Sequence, residues 1–77
     1  MNMWQLKAQQ KAKILDFSAS LSDIQKMRLV DLGFAKDEIV VCVKRIPFGG
    51  PAVYQVQSSM FALEGSIACQ VVVELME

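Results

Sequence analysis

The sequence predicts a small, mainly β domain with one helix, a barrel of about five strands, and three stretches carry that expectation. The first is Pro47-Phe48-Gly49-Gly50-Pro51, set between the apolar run Ile39-Val40-Val41-Cys42-Val43 and the alternating run Tyr54-Gln55-Val56-Gln57. Its glycines open positive φ, while its prolines fix φ and remove donors, so the pentapeptide reads as the tip of a β-hairpin. The second is Ser22 with Gln25 three residues on, the spacing of a capping box, closed downstream by Gly33. The third is Val71-Val72-Val73, whose β-branched side chains favour strand over helix.

Residues 1–10 hold Trp4 and Leu6 among polar neighbours and read as an amino-terminal leader, either frayed or folded back so that Trp4 covers one end of the barrel. The domain proper is expected over 11–77. Lys11 to Phe17 gives a first strand, with Ala12 and Ile14 on one face and Lys13 and Leu15 on the other. The helix follows over Asp23 to Leu32, with Gly33 in the left-handed conformation and Phe34 folding back on the last turn. At about 100° per residue, Ile24, Met27 and Leu32 share one apolar arc, and Leu29 and Val30 fall beside or beyond it. If that arc faces the core, Leu29 is left either for broad burial or for a partner. Ala35-Lys36-Asp37-Glu38 then turns into a long strand, Glu38 to Ile46, apolar on both faces at its start and so covered twice. Ala52 to Ser58 is the second, half-buried hairpin arm, with Tyr54 and Val56 on one face. After a turn at Ser58-Ser59 come a short strand, Met60 to Leu63, a single helical turn over 64–68, and a closing strand over 69–75. Closure into a barrel is expected because it removes edges that would otherwise aggregate.

Seventy-seven residues make one domain, and a chain of that size buries only about 60% of its unfolded surface, which disfavours a deep substrate cavity. Eight basic residues balance eight acidic ones, leaving no electrostatic footprint for nucleic acid and little self-repulsion against a homo-oligomer. Lys7, Lys11 and Lys13 precede the first acid and read as a solvated basic end. No run approaches the roughly 18 apolar residues of a membrane span, and 1–10 lacks the apolar core of a signal peptide, so a cytoplasmic protein without direct membrane insertion is expected. Cys42 and Cys69 are isolated and the chain has no histidine, so both cysteines read as small hydrophobes and no metal or cofactor is expected. Asp37, Glu38 and Cys42 make a poor iron ligand set. Without a His-paired nucleophile, a phosphate-cradling loop or carboxylates paired at helical spacing, the chain does not read as an enzyme.

The run Arg28-Leu29-Val30-Asp31-Leu32-Gly33-Phe34, the strand Ile39 to Arg45, Pro47-Phe48-Gly49-Gly50-Pro51, Ala62-Leu63 and the Val-rich final strand, in that order and spacing, closely resemble the FeoA family of bacterial ferrous-iron transport accessory proteins. The resemblance implies an SH3-like β-barrel with no chemistry of its own, assisting the ferrous-iron permease FeoB through its cytosolic or membrane part and recruited by it to the inner face of the membrane. The alternative it implies is a metal-sensing or iron-binding domain related to the carboxy-terminal domain of metal-dependent repressors. Ala12 stands where the family often has glycine, and Ala62-Leu63-Glu64-Gly65-Ser66 lacks the basic residues that often follow the Ala-Leu pair.

A domain this small carries its function on its surface. The expected contact surface combines Leu29 on the helix flank with Phe48, Gly49, Gly50 and Pro51 at the hairpin tip, and uses Lys44 and Arg45 as a polar rim. Phe48 is its anchor, because aromatic side chains dominate binding energy at interfaces. The competing role for Phe48 is to close one end of the barrel.

Overall fold

A computed structural model describes residues 1–76. The sheet consists of β1 (Lys11–Phe17), β2 (Ile39–Arg45), β3 (Ala52–Val56), β4 (Ser59–Leu63) and β5 (Val71–Met76), all antiparallel, in the order β4-β3-β2-β1-β5. Alternation along these strands places Ala12, Ile14, Val40, Cys42, Tyr54 and Val56 on one face, where they are fully or almost fully buried. Two register shifts, between Ile14 and Asp16 and between Cys42 and Lys44, break the alternation. Such bulges add bend and twist to a strand, which wraps the sheet around a small core. The second one also turns both Lys44 and Arg45 outward.

The strand number and the β2–β3 hairpin agree with expectation, but the closure does not: β4 and β5 are not hydrogen-bonded to one another, and the sheet keeps two edges. The connection between those edges is taken up by the short helix α2 (Gly65–Ala68), and a 3₁₀ turn, Met3–Gln5, packs against both α2 and β5.

The helix α1 (Asp23–Leu32) has the expected bounds and caps. Ser22 Oγ accepts from the Gln25 N–H at 3.2 Å, and Gln25 Oε1 faces the Ser22 N–H at 3.4 Å. At the other end Gly33 takes φ 112°. Its N–H donates to the Val30 carbonyl at 3.0 Å and the Phe34 N–H to Leu29 at 2.8 Å, the paired bonds of a Schellman motif.

Residues 1–10 are integral to the body. Of the two forms open to this segment the folded-back one is present, and a boundary at residue 11 does not describe the core, because Met3 and Leu6 are fully buried within it. Tyr54 Oη donates to the Met3 carbonyl at 3.0 Å, and Arg45 Nη1 donates to Trp4 O at 2.6 Å and Leu6 O at 2.9 Å. The Arg45 guanidinium also lies 4.4 Å from the centre of the Trp4 ring. On the ring's other contacts, a Cβ at Gly65 would come within 2.8 Å of Trp4 Cε2, so α2 approaches as closely as it does only through glycine.

The β2–β3 hairpin tip as a candidate protein-contact site

The last pair of the β2–β3 ladder is Arg45 with Ala52, and beyond it the Ile46 N–H donates to Pro51 O at 3.2 Å. Inside that bond Pro47-Phe48-Gly49-Gly50 forms a tight turn, with the Gly50 N–H donating to Pro47 O at 3.4 Å. Both central residues have positive φ, 63° at Phe48 and 75° at Gly49, as the hairpin-compatible type I′ turn demands. Gly49 answers a conformational need, since a Cβ there would meet nothing within 4 Å. Gly50 answers a spatial one, because its Cβ would lie 2.7 Å from Ile46 Cγ2. Phe48 is neither small nor glycine, yet it occupies the left-handed region with its side chain 103% exposed. It does not close an end of the barrel.

The other expected contact residues lie elsewhere. Leu29 is 3% exposed and belongs to the core. The helix is turned opposite to the expected way: Ile24 at 67% and Met27 at 65% exposure face out, as do Val30 and Leu32. Arg45 is exposed, with its guanidinium engaged by the carbonyls of Trp4 and Leu6 and lying over the Trp4 ring. Pro51 stays at the base of the tip, half-buried, with its carbonyl used by Ile46. Of the expected contact residues, Lys44, Arg45, Phe48 and Gly49 are exposed and Gly50 is half-buried. A separate shallow apolar groove, about 220 Å³, runs between α1, β4 and α2 and is lined by Leu29, Leu32, Leu63 and Ile67 with Gln25 and Arg28 at its rim.

Among the described residues no three His, Cys, Asp or Glu side chains stand close enough to hold a metal ion. Cys42 points into the core, where burial pushes its thiol pKa up against the opposing charge of Arg45. Asp37 sits on the surface with its carboxylate 3.8 Å from Lys13 Nζ. No helix among the described residues is long and apolar enough to cross a membrane.

Comparison with known proteins follows the same lines. The structure of Stenotrophomonas maltophilia FeoA in complex with zinc, a prokaryotic SH3 domain protein, superposes with a TM-score of 0.84 at 33% sequence identity, covering 96% of this chain and 89% of that one. Iron(II) transport protein A from Clostridium thermocellum matches at a TM-score of 0.89 and 25% identity over 97% of this chain and 45% of that one. A manganese-dependent transcriptional repressor shares the fold, with a TM-score of 0.86 at 14% identity over 99% of this chain and 41% of that one. Curated protein sequences give no match. The sequence model of the FeoA domain matches residues 1–75, which takes in the folded-back segment as well as the sheet, and the chain belongs to the FeoA domain family with its small SH3-like fold.

Proposed function

We propose that this protein is a non-enzymatic accessory of bacterial ferrous-iron uptake that acts at the cytosolic face by docking its β2–β3 hairpin tip onto a FeoB-type permease. Family membership supports the link to iron transport, and the Stenotrophomonas relative is one for which a role as a ferrous iron transport activating factor has been suggested. The single observation that carries the contact site is Phe48. A non-glycine residue at positive φ costs about 1–2 kcal/mol, and an exposed aromatic ring leaves about 2–3 kcal/mol of transfer free energy unrealised. Both penalties fall on one side chain at the most prominent turn, which is the pattern of a residue kept for binding.

The test is binding of the purified protein to the separate soluble and membrane parts of its cognate permease, comparing wild type with Phe48→Ala. Loss of about 2 kcal/mol, roughly 30-fold in affinity, is expected for an aromatic anchor. Circular dichroism and the melting midpoint should stay unchanged or rise. Undiminished binding by a folded Phe48→Ala protein would remove the hairpin tip from the interface.

A further inference from the structure

The two edges of the sheet are treated differently. The outer edge of β5 is occupied by the chain's own beginning: Asn2 bridges Val72, and the Val73 N–H donates to Met1 O at 2.8 Å. β4 pairs with β3 on one side and, among the described residues, has no strand on the other. Exposed edges are ordinarily blunted by a charge, a proline or a bulge. Ser59-Met60-Phe61-Ala62-Leu63 carries none of these, and its ladder with β3 is regular over all five residues.

We propose that the β4 edge is where a second copy of this chain adds, strand against strand, about a two-fold axis at Phe61. The sequence of β4 is self-complementary in that antiparallel register. Phe61 meets Phe61 of the second copy on the core side, where it already packs 5.8 Å from the Phe34 ring. On the opposite side Met60, 62% exposed, lies over Ala62 of the second copy, while Ser59 stands across from Leu63 on the face of Phe61. Each large side chain away from the axis thus faces a small one, the arrangement that cross-strand packing favours. Glu64 falls beyond the paired segment, opposite Ser58, so no like charges meet, and the chain's zero net charge adds no long-range repulsion. A two-fold edge pairing is closed, so it yields a dimer and stops there.

Sedimentation velocity across a concentration series tests this. The mass should rise from the 8.6 kDa protomer toward twice that value, with a dissociation constant on the order of 0.1 mM, as suits a small interface. The Met60→Lys, Ala62→Lys double variant sets lysines against each other twice across the axis and should weaken pairing at least about tenfold while leaving circular dichroism unchanged. Ile24→Lys on the exposed helix face should leave the dimer intact. Amide exchange of the unsubstituted protein should show protection that grows with concentration in Ser59–Leu63, which reads the edge without any variant. A protomer mass at every concentration overturns the proposal, including the case in which the edge serves another protein's strand. So does a dimer that survives the double variant with no protection of β4.

Discussion

Leu29 and Tyr54 show how single side chains set the limits of what this surface can do. Leu29 lies in the core under the Schellman turn, so Leu29→Ala is expected to cost about 2–4 kcal/mol of stability, read as a lower urea midpoint, with partner binding affected only through unfolding. Tyr54 joins the folded-back segment to the sheet. Its phenol pKa is pushed up to about 12 from 10.0 by burial first and by nearby Cys42 second, against the lowering effect of Arg45. Because the folded value lies above the unfolded one, this contribution is fully present below pH 10 and is lost as pH rises toward about 12. Urea titrations through the alkaline range should show that decline, and Tyr54→Phe should flatten it. The same variant should lose about 1 kcal/mol at neutral pH, where Met3 O forfeits its donor.

The hairpin is the element in which stability and function oppose each other. Asparagine tolerates the left-handed region better than an aromatic residue does. Phe48→Asn should therefore raise the unfolding free energy by up to about 1 kcal/mol while weakening permease binding about as much as Phe48→Ala, a pairing of effects that a merely structural turn residue would not give. The location of this element was legible because glycine and proline punctuate the chain through backbone geometry alone. Its aromatic could be named from sequence, but its fate could not, since exposure depends on whether the barrel end lies within reach. The helix teaches the reverse. Its caps fixed both ends, yet the arc of Ile24, Met27 and Leu32 pointed the wrong face inward, because three apolar residues on so short a helix outvote one. The corrective signal was present in Gly33-Phe34: a Schellman turn brings the residue after the glycine onto the one that opens the last turn, here Leu29.

At the scale of the molecule, strand count follows from alternation and turns, whereas the strand order, the openness of the sheet and the burial of residues 1–10 do not. Met3 and Leu6 show no periodicity that marks them as core, and the groups that hold them, Tyr54 and Arg45, come from the far arms of the hairpin. The partners of Arg45 were illegible for a related reason: they are backbone carbonyls, which carry no trace in side-chain sequence. The two sheet edges differ for the same reason, one guarded by a segment that looked like a leader and the other left bare.

The position of β1 has a kinetic consequence. It lies between β2 and β5, pairing Ile14 with Val73 and Phe17 with Val71, so its second neighbour is the strand farthest from it in sequence. Until β5 docks, one side of β1 and the sites of Met1 and Asn2 on β5 are empty, and the loop to be closed runs through β2, β3 and β4. Completing the sheet thereby waits on one contact of high sequence separation, and the β5 edge takes its final form only once that contact is made.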